Sequence, residues 1–355
     1  MKLGFGLYRN MLTPDGLRFA RQVGATHIVA HLPGSASAAN DQLLATYGKQ
    51  AGHGLSDPND PIWTYDGLRD LKASVNAEGL ELEALENFAP AHWYDVLLDG
   101  PNRPQQMEHL KHLIRDLGRV GIPIMGYNFS LAGVWGQEPG PYARGGAVSV
   151  GYNQPAETPV PAGMVWNMVY DRGLFNPNDA TAVQAPVSAE EIQQRFQNFI
   201  NEIVPVAEEA GVRLALHPDD PPMPALRGMH RLTSSPDNYA HILDLNPSPA
   251  NALELCLGTV AEMPGGDIYE MVDRVSKLGR IAYIHFRNVR GKVPHYREVF
   301  IDEGDTDMIR LLGILYRNHY DGILIPDHTP AGSIPITRSI CIVRGRLGQR
   351  RNPRR

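Results

Sequence analysis

Four residues of metal-binding type each close a short apolar run of the chain. They are His217 in LeuAlaLeuHisProAspAsp, Cys256 in LeuGluLeuCysLeuGly, His285 in TyrIleHisPheArgAsn and Asp327 in LeuIleProAspHis. Two imidazoles, a thiolate and a carboxylate form a donor set for Zn, Mn, Fe or Co. The thiolate pulls toward zinc or a softer ion, so donor chemistry alone does not select manganese. Each residue taken singly has a plainer explanation. Cys256 can be a small buried hydrophobe, His217 a strand end bonded to backbone, His285 a satisfied core histidine, and Asp327 the cap of a turn. Four in succession favour a metal site.

Their neighbours extend the chemistry. His328 follows Asp327, and imidazole suits general acid–base work near neutral pH. Arg287 and Asn288 lie just past His285 and could hold a carboxylate or sugar hydroxyls, the guanidinium fork matching a carboxylate. Asp219 and Asp220 follow His217 and could bond hydroxyls or shape the turn before Pro221 and Pro222. Tyr127 and Asn128 end another apolar run and are expected at the same rim. Of Glu83 and Glu86, one could face the pocket or cap a helix.

Bringing such residues together requires elements that end at one place. Apolar, β-branched runs at 2–7, 27–31, 80–85, 123–128, 213–217, 252–256, 281–286 and 322–325 read as strands. Amphipathic stretches at 15–23, 65–78, 105–120, 189–210, 236–245, 267–278 and 305–317 read as helices between them. Ser188 ahead of Glu190 and Glu191 signals a capped helix start. Gly79, Gly121, Gly211 and Gly279 fall where helices should end in a left-handed residue. Seven βα units and an eighth strand make an α/β fold of the (β/α)8 TIM-barrel type. A doubly wound open sheet is weakened by the absence of GxGxxG after the first strand. Insertions at 32–61 and 130–186 follow strands two and four, on the face where barrel enzymes carry their sites, and suggest a lid or an oligomer contact. The expected division is a barrel over 1–328 and a basic tail over 329–355.

Composition narrows the class. The 355 residues are 43% hydrophobic and 20% charged, enough for a large core and too apolar for general disorder. No run approaches the ~20 apolar residues of a membrane span, and the start lacks the apolar core of a secretory signal. Two cysteines, Cys256 and Cys341, exclude a disulfide scaffold and fit a reducing cytoplasm. Seven arginines and no acid occupy 329–355, leaving 26 basic against 39 acidic residues before them. A body so acidic is a poor nucleic-acid binder.

Six segments in order make the chain resemble the mannonate dehydratase family. These are TyrAsnPhe at 127–129, HisProAspAspProPro at 217–222, CysLeuGly at 256–258, HisPheArgAsnValArg at 285–290, GlyAspThrAspMet at 304–308 and ProAspHis at 326–328. The resemblance implies a xylose-isomerase-like barrel whose His217, Cys256, His285 and Asp327 hold a divalent ion, usually Mn2+, with Fe2+, Co2+ and Zn2+ as alternatives. It implies dehydration of D-mannonate to 2-keto-3-deoxy-D-gluconate in hexuronate catabolism, with His328 and Arg287 as catalytic residues. Tyr127, Asn128, Asp220 and Asn288 would bind the sugar acid. A homo-oligomer is expected, from the long insertion and an eighth strand with no evident covering helix. The family's tail tyrosine has no counterpart, Tyr320 being the last tyrosine. Two other readings therefore stand beside dehydration. One is isomerisation or epimerisation of a related sugar acid, and the other is sugar binding without turnover.

Overall fold

The computed structural model describes residues 1–33, 55–162, 164–165, 169–171 and 182–331. Cys341, the tail beyond 331 with any eighth helix, and parts of both insertions lie outside the described residues. Eight parallel strands close into a barrel in chain order: β1 Lys2–Tyr8, β2 His27–His31, β3 Glu81–Glu86, β4 Ile124–Tyr127, β5 Arg213–Leu216, β6 Asn251–Cys256, β7 Ile281–His285 and β8 Ile323–Ile325. β8 returns to β1 through Lys2 beside Ile323 and Leu3 beside Leu324. The expected (β/α)8 barrel is therefore the fold, and each expected strand matches an observed one to within a few residues.

Among the described residues seven longer helices cover it: α1 Pro14–Gln22, α2 Tyr65–Ala77, α3 Arg103–Val120, α4 Ala189–Ala210, α5 Pro236–Leu245, α6 Ile268–Lys277 and α7 Met308–Arg317. Their ends follow local chemistry. Ser188 accepts from Glu191 N while the Glu191 carboxylate accepts from Ser188 N, a reciprocal cap that starts α4. Gly211 then ends it at φ 69°, a conformation a side chain would strain. The α4 face carrying Phe196, Phe199, Ile200, Ile203 and Ala207 is buried against the sheet, as its spacing demands.

Strand alternation sorts the barrel residues into two faces. Outward side chains such as Phe5, Leu7, Ile28, Leu85 and Met125 join the main core beneath the helices. Inward ones form a separate, smaller cluster that includes Val29, Ala84, Ile124, Ala215, Ala252, Tyr283, Ile323 and Ile325. The glycines and alanines on this inner face leave room at the centre for polar side chains, and Glu86, Glu254 and His285 fill it, all buried.

The connections after β4 and β7 are not bare loops. Gln137–Ala143 and Ala147–Asn153 form a hairpin turning at Arg144–Gly146. Asn288–Lys292 and His295–Val299 form a second hairpin. The two join through Tyr152 beside Tyr296, making one four-stranded antiparallel sheet. The insertion after β2 also pairs with the one after β4, Leu55–Ser56 running parallel to Val169–Asp171. Among the described residues no helix is long and apolar enough to cross a membrane.

Candidate metal centre and acid–base site

Cys256 and His285 end adjacent strands in register, and His217 stands one residue past β5. Their donor atoms lie within 4.8 Å of one another. His217 Nδ1 is 2.6 Å from the Pro218 carbonyl; donating there leaves Nε2 with its lone pair for the centre. Cys256 caps the short helix Leu257–Glu262, Sγ accepting from Thr259 N at 3.5 Å. Burial works against a thiolate, but Arg287, His217 and His285 outweigh it and hold the thiol well below its usual range. Burial likewise opposes charge on His217, yet Glu254 and Cys256 raise its pKa to about 9. Without an ion, protons supply the positive charge this centre demands.

Asp327 Oδ2 lies 3.3 Å from His285 Nδ1, so the fourth expected ligand reaches the centre beside His285. It belongs to neither compact group of three donors among the described residues. The second such group, Glu86, Glu254 and His285, escaped the sequence reading as a set. Glu86 Oε2 accepts from His285 Nε2 and from the Tyr283 hydroxyl, each at 3.2 Å, and lies 3.3 Å from His31 Nε2. Burial would lift the Glu86 pKa, but His31 and His285 hold it down. Glu254 has the opposite balance, burial and Glu86 pushing it up against His285 and His217. A signal for both existed. Glu254 shares an inward face with Cys256 two residues on, and His31 ends a strand just as Cys256 does. Tyr8 ends β1 with its ring 4.8 Å from that of His31.

His328 and Arg287 form an adjoining acid–base cluster. His328, at φ 43°, brings Nδ1 to 2.7 Å from Glu298 Oε1, leaving Nε2 as its outward nitrogen. Its side chain is 29% exposed, whereas that of Glu298 is fully buried. Burial lowers the His328 pKa, but Asp327 and Glu298 together raise it to about 9, so it is a protonated acid near neutrality. Arg287 is buried among carboxylates, its Nη2 2.8 Å from Asp220 and 2.5 Å from Glu262, its Nε 3.3 Å from Glu298 and its Nη1 3.4 Å from Asp327. So engaged, it fixes the groups around His328. Glu262, Glu298 and Tyr296 were not singled out from the sequence.

The expected sugar-binding residues fare unevenly. Tyr127 does not face the rim as expected. It is an outward residue of β4 and packs against Phe199, with ring centroids 5.4 Å apart, and near Phe88 and Trp93. Asn288 does not present its amide to a ligand either. Nδ2 donates to Ile301 O and Thr306 O, and Oδ1 accepts from Val289 N and Thr306 N, tying down the loop after β7. Asp220 is buried and accepts from Arg287, Thr259, Tyr296 and Gln137. Asn128, on the opposite face from Tyr127, is buried with Oδ1 accepting no hydrogen bond.

A closed parallel barrel with imidazole, thiol and carboxylate groups converging at its strand ends defines the class: a (β/α)8 barrel with a candidate metal centre at its C-terminal rim. Solved structures agree on the fold. A D-tagatose 3-epimerase-like protein superposes with TM-score 0.57 at 14% identity, over 98% of each chain. Mannonate dehydratase from Streptococcus suis serotype 2 superposes with TM-score 0.76 at 24% identity, over 98% of this chain and 93% of that one. The family is then decided by sequence. Residues 1–333 match the D-mannonate dehydratase (UxuA) family. The mannonate dehydratase of Streptococcus equi subsp. zooepidemicus is 30% identical over 279 residues, 76% of each chain. That of Lactococcus lactis subsp. cremoris is 28% identical over 288 residues, 76% of this chain and 80% of its own. The chain belongs to the mannonate dehydratase family and is an enzyme of the hydro-lyase type.

Proposed function

We propose that this protein dehydrates D-mannonate to 2-keto-3-deoxy-D-gluconate at a divalent ion, Mn2+ first among Fe2+, Co2+ and Zn2+, held by His217, Cys256 and His285 with Asp327 beside them. The observation that carries the reading is the convergence of three donor side chains, two imidazoles and a thiol, at the ends of β5, β6 and β7 within 4.8 Å. The donor set fits an ion: its neighbours hold the Cys256 thiol well below its usual range, and the buried Glu254 oxygens, 3.0 Å from His285 at the nearest, accept no well-aligned hydrogen bond. Bound there, the ion supplies Lewis-acid stabilisation of negative charge.

Of the two proton transfers, removal of the C2 proton to a base and delivery of a proton to the C3 hydroxyl, the geometry supports an assignment for the second. Dehydration removes the C2 proton and expels the C3 hydroxyl as water, leaving an enol that becomes the 2-keto group. His328 is the proton donor to that hydroxyl, being charged near neutrality and next to Asp327 in the chain. Glu298 holds its Nδ1, so that Nε2 delivers the proton. Arg287 keeps Asp220, Glu262, Glu298 and Asp327 in place around it. Asn128, with a buried unpaired oxygen, remains a sugar-binding group. Action in the cytoplasm and assembly into a homo-oligomer belong to the same reading.

The test is a proton NMR time course of manganese-loaded protein with D-mannonate. Loss of the C2 proton signal with growth of a 3-deoxy methylene, both abolished by chelator, is the expected result. A product of unchanged mass would replace dehydration by isomerisation, and an unchanged spectrum would overturn turnover of this substrate.

A further inference from the structure

We propose that Glu254 is a further ligand of the divalent ion, reaching the His217, Cys256 and His285 donors from one layer deeper in the barrel. The inference rests on the metal site proposed above. Glu254 lies two residues before Cys256 on β6 and therefore shares its inward face. Its side chain is wholly buried, Oε1 being 3.0 Å from His285 Nε2 and 4.0 Å from His217 Nε2. Despite that closeness, neither Glu254 oxygen accepts a hydrogen bond of sound geometry. Donors ~2.0–2.2 Å from one ion sit about 3 Å apart when adjacent, their lone pairs aimed at the ion rather than at each other. A close but misaligned nitrogen–oxygen contact is what that arrangement leaves when the ion is taken away.

Two further observations separate Glu254 from an ordinary buried acid. Glu86, the other carboxylate of the group, has partners apart from His285, accepting from the Tyr283 hydroxyl at 3.2 Å and lying 3.3 Å from His31 Nε2. Glu254 also occupies space that a missing side chain provides, since a Cβ on Gly126 would fall 2.6 Å from Glu254 Oε2. A buried carboxylate with room made for it, near His285 and Tyr283 yet accepting no well-aligned hydrogen bond, suits a cation. Its oxygen is moreover a hard donor, which moves a thiolate–imidazole set from zinc toward manganese.

The experiment compares metal-stripped and reloaded wild type, Glu254→Gln, Glu254→Asp and Cys256→Ala. With Co2+, a thiolate-to-cobalt absorption band reports Cys256 coordination, and the d–d intensity reports coordination number. Glu254→Gln is expected to keep the thiolate band, gain d–d intensity and bind Mn2+ more weakly by at least roughly 10–100-fold, with a smaller loss for Zn2+. Glu254→Asp should fall between Gln and wild type. Metal-free Glu254→Gln should keep the far-UV circular dichroism and cooperative melting of metal-free wild type, which a misfolded variant would not do. Unchanged Mn2+ affinity and d–d spectrum in both Glu254 variants would overturn this assignment alone. A wild-type protein without the thiolate band would overturn the underlying site, and this ligand with it.

Discussion

At Cys256 the thiolate, two imidazoles and a guanidinium share a space with no water-like dielectric to soften them. Removing the sulfur should abolish tight metal binding and leave the barrel folded. Elemental analysis of Cys256→Ala, beside its circular dichroism, checks this; full metal content would refute the ligand. A pH dependence follows from His217. Its pKa near 9 means the metal-free centre holds a proton that an incoming ion must expel. Affinity should therefore climb with pH up to about 9 and fall roughly tenfold per unit below it. A Mn2+ dissociation constant flat between pH 6 and 8 would sink the argument. At His328, replacement by Gln should cost about 10²–10⁴-fold in kcat, with metal content unchanged; wild-type turnover would exclude it as the acid. The four ligand candidates and His328 were legible because each breaks an apolar run at its end. Glu254 was not, because a single acid inside LeuGluLeuCys resembles an exposed residue of an alternating strand. Tyr127 misled for the same reason in reverse, since its run end said nothing of which face it takes.

Among the elements, the short helix Leu257–Glu262 packs closely on Arg287. A Cβ on its Gly258 would lie 2.0 Å from Arg287 Nε, inside a guanidinium already surrounded by carboxylates. Gly258→Ala should thus destabilise the fold by about 1–3 kcal/mol and depress turnover more than a surface change of equal stability cost. Equal urea midpoints for the two proteins would show that Arg287 can yield. The barrel strands and covering helices could be read because buried parallel strands are short apolar runs and the helices carry their own caps. The second hairpin could not. Arg290, Lys292, His295 and Arg297 are exposed along it and mask the buried alternation of Tyr296 and Glu298. That is why Glu298, the anchor of His328, stayed invisible.

For the whole molecule, acid also acts through groups outside the proposed ligand set. His92 is buried beside Trp63 and His109, and burial, then His109, push its pKa down to about 3. The unfolded chain takes up this proton below about 6.5, whereas the folded chain refuses it until about 3. Stability should fall as pH drops through that window, by on the order of 5 kcal/mol from this group at the extreme. Asp220 acts in the same direction lower down. Burial opposes its charge, but Arg287 brings its pKa to about 2, so its contribution is full above about 4 and lost toward 2. Urea midpoints at pH 7.5 and 5 should differ in wild type and differ less in His92→Phe; an equal drop in both would acquit His92. None of this was readable beforehand, because burial of one histidine depends on packing between α3 and segments distant in sequence.

The joined hairpins carry a last implication. Excursions from β4 and β7 share a ladder at Tyr152 and Tyr296 and meet at Asp220, where Gln137 and Tyr296 both donate. Neither excursion is thus an independent module. Anyone retailoring substrate choice by exchanging loops with a relative must transplant the pair together, since a single graft would leave a sheet edge without its neighbour and Asp220 short of a donor.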